Sequence, residues 1–211
     1  MGLSHRPKRI GIFGGAFDPP HNAHVALAQT ALTELALDVL HVIPTGQAWH
    51  KARTLSAPEH RLAMTQLAFA DMPRVVVDDR EIKRAGPTFT IDTLQVLQTE
   101  NPGAQLYLMM GADQFAAFKQ WQQWQAILEI AIICIADRAR FDWATGQFGT
   151  RKELQNRILT LLMPQMAVSA TQIRQLVSSG LGENEAMADL LPPSVASYIA
   201  QHQLYRAPKA I

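Results

Sequence analysis

The sequence predicts an α/β fold with a doubly wound parallel sheet and helices on both faces. Three observations predict it. Short apolar runs alternate with helix-patterned segments along most of the 211 residues. The runs are rich in Val, Ile and Leu, as strands covered on both faces are. The first run ends in Gly14-Gly15 and leads into a helix start, as in sheets that bind ligands beyond their carboxyl edge.

The elements follow in order. The run from Ile10 to Phe13 marks a strand at 9–13, and the apolar segment from Val25 to Leu35 marks a helix at 22–36. A strand at 39–44 is followed by a helix at 58–70, opened by Pro58, a residue suited to a first turn. A strand at 74–78, a helix at 90–99 and a strand at 105–110 come next, then a helix at 114–128. The longest apolar run, Ile130 to Ala136, is of strand length. A helix at 152–161 and a sixth strand at 165–168 follow. Helices at 170–179, closed by Gly180, and at 193–201 end the chain. The length favours one domain over 1–211, with the helices of about 170–205 packed into it. Residues 141–149 read as a polar, glycine-containing loop, and no internal repeat is visible.

Composition narrows the function classes. The chain is 48% hydrophobic, enough for one substantial core. Its net charge of +1 gives no broad basic face for nucleic acid. No run approaches eighteen apolar residues, so no membrane span is expected. The lone Cys134 sits inside an apolar run and reads as a buried thiol, which suits a reducing cytoplasm. The sequence carries no signal for a particular oligomeric state.

The chemistry concentrates in Gly14-Gly15-Ala16-Phe17-Asp18-Pro19-Pro20-His21-Asn22-Ala23-His24. Two glycines end the strand without a side chain to keep a ligand away. The two prolines stop it. His21 and His24 then share a face of the helix start, at a spacing of three. A helix N-terminus offers unpaired N–H groups and about half a positive charge, so it attracts phosphate. A zinc reading of the pair is disfavoured, because helical metal pairs prefer a spacing of four. A dinucleotide fingerprint is disfavoured too, since its Gly-x-Gly-x-x-Gly pattern is missing.

Other candidates lie after other strands. His50 and Lys51, with Arg53, follow the second strand and could meet a polyphosphate, or form a solvated basic loop. Gly111 and Asp113 follow the fourth strand, where Asp113 could accept from ribose hydroxyls or serve as a helix N-cap. Ser169 and Thr171 open a second anion-ready helix, with Arg174 as a cationic clamp one turn on. Trp121 and Trp124 read as core packing or as a stacking platform.

Together these residues resemble the bacterial nicotinate mononucleotide adenylyltransferases of the nucleotidylyltransferase superfamily. The hallmark Gly-Gly-x-Phe-Asp-Pro-x-His-x-Gly-His is matched at Gly14 to His24. The second, Ser-Ser/Ala-Thr-x-Ile-Arg, is matched at Ser169 to Arg174, and the Pro-to-His-Lys loop at Pro44 to Lys51. Asp79-Arg80-Glu81-Ile82, Pro87-Thr88-Phe89-Thr90 and the Gly111-x-Asp113 turn leading to Trp121 resemble this subfamily in particular. The likeness runs from about Ile10 to Tyr205.

The resemblance implies a Rossmann-like α/β fold and transfer of AMP from ATP to nicotinate mononucleotide, giving deamido-NAD and pyrophosphate, with Mg²⁺ carried by ATP. It implies that His21, His24, Lys51 and Arg174 serve the triphosphate, and that Gly14, Gly15, Phe17, Gly111, Asp113, Ser169 and Thr171 complete the ATP site. It places Thr88, Phe89, Trp121, His50 and Lys51 at the nicotinate end, with Trp121 stacking on the ring. It implies no protein-held metal. Three positions depart from the pattern: Ala23 replaces a Gly, Ala48-Trp49 replaces Pro-Pro, and Phe89 stands where Tyr is common. The rival readings are another nucleotidylyltransferase, with a nicotinamide mononucleotide or phosphopantetheine acceptor, and a non-catalytic nucleotide sensor.

Overall fold

A computed structural model describes residues 6–46, 55–137, 157–164, 166–180 and 187–206. The chain runs β1 (Arg9–Gly15), α1 (Asn22–Glu34), β2 (Val39–Pro44), α2 (Pro58–Phe69), β3 (Val75–Val77), α3 (Arg80–Lys83), α4 (Thr90–Glu100), β4 (Gln105–Gly111) and α5 (Ala112–Ala116). After a 3₁₀ turn at Phe118–Gln120 come α6 (Trp124–Ile130), β5 (Ala131–Asp137), β6 (Ile158–Leu162), α7 (Ala170–Ser178) and α8 (Pro193–Gln201). The strands form one sheet in the order β3-β2-β1-β4-β5-β6, every neighbouring pair parallel. This is the doubly wound order, and its switch point lies between β1 and β4.

Side chains leave β1 alternately to the two faces, as a strand's period of two requires. Ile10 and Ile12 join Leu106 and Leu108 of β4 in a core under Ile91, Leu94 and Leu97 of α4. Phe13 joins Tyr107 and Met109 in a second core under α1, α2, α7 and α8. The register levels the carboxyl ends. Gly15 lies opposite Pro44 of β2, and Gly111 opposite Ala136 of β5. The carboxyl ends of β1, β2, β4 and β5 therefore lie at one edge of the sheet. Cys134 lies buried in β5, where desolvation pushes its thiol up to about 12.

The structure corrects three expected elements. The sixth strand is Ile158–Leu162, inside the segment expected to end a helix, and 166–168 is not a strand. The run Ile-Leu-Thr-Leu-Leu is apolar enough for either state, and pairing with β5 decides it. The helix expected over 114–128 is broken into α5, the 3₁₀ turn and α6. Gln123 marks the break, with a φ of 52° in the left-handed region. Residues 80–83, given no element in the sequence reading, form α3. Residues 47–54, 141–149 and 152–156 lie outside the described residues, and with them His50, Lys51, Arg53, Ala48 and Trp49. Among the described residues no helix is long and apolar enough to cross a membrane.

Candidate active site

A cleft of about 600 Å³ opens at the carboxyl edge, across the switch point. Its floor is Gly14 and Gly15 of β1 and Met110 and Gly111 of β4. Open space lies where a Cβ on Gly14 would project, so a ligand can approach the backbone there. His21, Ala23 and His24 form one flank. Asp113 of α5, Ser169 and Ala170 at the start of α7, Thr88, Phe89 and Thr90 around the start of α4, and Trp121 also line it.

His21 is the N-cap of α1, and its backbone N–H donates to His24 Nδ1 at 3.1 Å. That bond makes Nδ1 an acceptor, so the ring proton of neutral His24 belongs on Nε2. The two imidazoles stack with centroids 3.6 Å apart. Phe17 braces the pair from behind: its ring is 2% exposed and meets His24 edge-on at 5.1 Å. The Phe17 side chain thus belongs to the core, leaving only its backbone to serve a ligand. Burial lowers His21 to about 4, so its ring is neutral at pH 7. Among the described residues its Nδ1 is buried with no hydrogen-bond partner. The pair therefore offers N–H donors and not two fixed positive charges.

Arg174 is tied to the first motif directly. Its Nη1 donates to the Asp18 carbonyl at 2.7 Å and its Nη2 to Thr171 Oγ1 at 3.0 Å. Ser169 caps α7 by accepting from the Gln172 N–H at 3.2 Å. The Asp18 carboxylate is 1% exposed and accepts from the Tyr205 hydroxyl at 2.6 Å and the Ser56 N–H at 3.2 Å. The two hallmark segments and the C-terminal Tyr205 thus meet at one residue.

Asp113 is not an N-cap. Gly111 takes that place on α5, and Asp113 stands exposed in the first turn at the cleft edge. Trp121 also lines the cleft, and both it and Trp124 pack against Phe118, with ring centroids 5.6 and 6.3 Å away.

Two site residues escaped the sequence reading as individual functional candidates. Arg61, 2% exposed, donates to the carbonyls of Ser56, Ala16, Thr45 and Gly46. It holds together the loops that leave β1 and β2. Glu81, 8% exposed, lines the cleft and accepts from Thr93 Oγ1 at 2.8 Å. Burial raises its carboxyl above the ordinary value against hydrogen bonds from Thr93, Thr45 and Thr88 and the charge of Arg84. Its backbone carbonyl lies 2.2 Å from where a Cβ on Gly46 would stand, so only glycine fits there. Next to it, Asp78 joins His41 at 3.0 Å and Arg80 at 2.7 Å, and Arg80 reaches Glu100 at 3.0 Å. Burial opposes the charge of Asp78, but the bonds from His41 and Arg80 prevail and hold it at about 2. This network pins the start of α3. In sequence these are ordinary helix charges, and no spacing marks them as buried.

Known proteins resemble this chain over nearly its whole length. The cytidylyltransferase-like family profile matches residues 12–176. A protein of Albidiferax ferrireducens called a probable nicotinate-nucleotide adenylyltransferase is 52% identical over 199 residues, covering 94% of this chain and 98% of its own. One of Bordetella petrii with the same name is 40% identical, covering 94% and 100%. Among solved structures, Plasmodium falciparum nicotinic acid mononucleotide adenylyltransferase complexed with NaAD superposes with a TM-score of 0.74 at 19% identity, covering 94% of this chain and 97% of that one. At that identity the superposition speaks for the fold.

Proposed function

The chain belongs to the nicotinate-nucleotide adenylyltransferase family within the cytidylyltransferase-like proteins, and we propose that it transfers AMP from ATP to nicotinate mononucleotide, releasing pyrophosphate and deamido-NAD. The observation that carries the reading is the stacked His21–His24 pair at the start of α1, facing a cleft at the switch point of the sheet. The nucleophile is the phosphate monoester of the acceptor. Its second pKa is about 6, so it is already mostly dianionic at neutral pH and needs no general base. The task is to bring two polyanions into line and to neutralise charge on the α-phosphoryl group and the departing pyrophosphate.

His21 and His24 donate to the phosphates, and Lys51 and Arg174 supply positive charge. Gly14, Gly15, Gly111, Asp113, Ser169 and Thr171 complete the ATP side. Thr88, Phe89, Trp121 and His50 hold the acceptor, with Trp121 against the pyridine ring. Direct in-line displacement is favoured because no cysteine is among the described residues of the cleft and its serine, Ser169, has its hydroxyl oxygen committed to capping α7.

A divalent metal fits this site as a companion of ATP. Among the described residues no group of three or more His, Cys, Asp or Glu is placed to hold one. Mg²⁺, which keeps most of its water and binds through substrate phosphates, suits such a donor set. It supplies charge neutralisation on the phosphates, while the protein supplies the N–H donors around them. The reading places the whole chain, as one unit, among cytoplasmic small-molecule enzymes.

The test is product formation with ATP and Mg²⁺ and either nicotinate or nicotinamide mononucleotide. Deamido-NAD should form, and the acid should be preferred over the amide. A wild-type enzyme that prefers the amide overturns the acceptor assignment.

A further inference from the structure

Glu81 is a nearly buried carboxylate on the wall of the cleft, and the reaction described above gives it no task. Its surroundings are unusual. Three threonine hydroxyls converge on it, from Thr45 just after β2, Thr88 before α4, and Thr93 in the first turns of α4. Thr45 Oγ1 and Thr88 Oγ1 are also 3.2 Å apart. All three threonines line the cleft beside Phe89 and Trp121. One side chain therefore links three separate segments of the acceptor wall.

We propose that Glu81 is the positioning residue of the acceptor half of the site, fixing the Thr45 and Thr88 hydroxyls and with them the backbone at Thr88–Phe89. The inference rests on the acceptor lying at this wall. The argument is an inventory of protons. An ionised carboxylate only accepts, with two oxygens and about four lone-pair sites. Thr93 spends its only proton on Glu81, and the two protons of Thr45 and Thr88 are shared between their mutual contact and Glu81, so the three hydroxyls turn lone pairs to the cleft. Those lone pairs repel a carboxylate on the acceptor, so the backbone N–H groups of the same wall must read the acid. Glu81 thus acts at one remove: it orients, and the backbone recognises. The wall is held from outside as well. Arg80 is fixed to Asp78 and Glu100, and Gly46 packs against the Glu81 carbonyl. The carboxylate therefore cannot withdraw without moving α3.

Glu81→Gln tests this at constant shape. The amide brings two protons of its own, so at least one threonine must turn round. Steady-state kinetics with varied ATP and varied nicotinate mononucleotide should show the acceptor KM raised about tenfold, the scale of one hydrogen bond to a charged group. The ATP KM and kcat should stay within about twofold. Thr93→Val, which removes one donor to Glu81, should move the same parameter in the same direction, and combined with Glu81→Gln it should add little. Both variants should be checked for a wild-type circular dichroism spectrum. An unchanged acceptor KM in folded Glu81→Gln, or equal rises for ATP and acceptor, overturns the inference. Those outcomes leave the proposed reaction standing, because the wild-type enzyme run alongside tests it separately. If the wild type uses a different mononucleotide, the Glu81 comparison is read with that acceptor.

Discussion

At the scale of single residues, the site works through protons placed by neighbouring groups. His24 accepts the His21 backbone N–H on Nδ1, which leaves Nε2–H as its donor. Removing one donor aimed at developing charge costs about 10²–10³ in rate. Turnover of a correctly folded His24→Ala enzyme should fall by that factor, and near wild-type turnover would remove His24 from the transfer step. His21 carries a different signature. Its folded pKa of about 4 lies below the ordinary 6.5, so between those values the unfolded chain binds a proton that the folded chain does not. Stability from this residue is thus complete above about pH 6.5 and is lost as pH falls toward 4. Glu81, raised by burial, has the opposite sign above its ordinary value, so the measurement must be differential. Chemical denaturation of wild type and His21→Asn at pH 7 and pH 5 should show the wild type losing more stability than the variant on acidification. Equal losses would mean that His21 ionises freely in the folded state.

At the scale of elements, the segment 112–130 carries the most information. Had it formed one helix, Trp121 and Trp124 would have shared a face. The left-handed Gln123 separates them, and although both still pack against Phe118, it is Trp121 that lines the cleft. Trp121→Ala should therefore raise the KM for nicotinate mononucleotide by a factor equivalent to about 1–3 kcal/mol, the worth of a lost aromatic contact and its buried area. The ATP KM should hardly change, and the preference for the acid should persist, since stacking is blind to it. Equal loss for both substrates would return Trp121 to the core. This break also shows what a sequence can carry. The strands β1 to β5 and the helices α1, α2, α4, α7 and α8 are legible because apolar runs and end signals agree for each. The hallmark segment is legible because its residue types are rare in combination. The break at Gln123 has no glycine or proline to announce it, and the run that forms β6 suits helix or strand equally, so only its pairing with β5 decides it. Arg61 and Glu81 are hidden for a third reason: a charged side chain in a helix is normally solvated, and only tertiary packing turns it inward.

At the scale of the whole molecule, the C-terminal segment closes back onto the first loop. The Asn22 backbone N–H donates to the Leu190 carbonyl at 3.0 Å, and its side chain reaches the carbonyls of Ala188 and Asp189. Ser194 of α8 reaches the Leu67 carbonyl of α2. At the end of this path, Tyr205 donates to the buried carboxylate of Asp18, whose own carbonyl receives Arg174. Tyr205 and Arg174, the proposed triphosphate clamp, therefore share one anchor, and loosening one should disturb the other. Tyr205→Phe keeps the ring and removes only the donor. Taking a hydrogen bond from a buried charged acceptor costs about 1–3 kcal/mol, so the unfolding free energy should fall by that amount. If the anchor is shared, the ATP KM should also rise while the acceptor KM holds. Arg174→Ala should raise the ATP KM further, and Arg174→Lys should not restore it, because a point charge cannot bond the Asp18 carbonyl and the Thr171 hydroxyl as a planar fork does. The combined variant, Tyr205→Phe with Arg174→Ala, should lose less ATP affinity than the two single losses added together. Independent sites add to within about 0.3–0.5 kcal/mol. Additivity within that margin would make Tyr205 a remote stabilising contact and leave Arg174 to act alone.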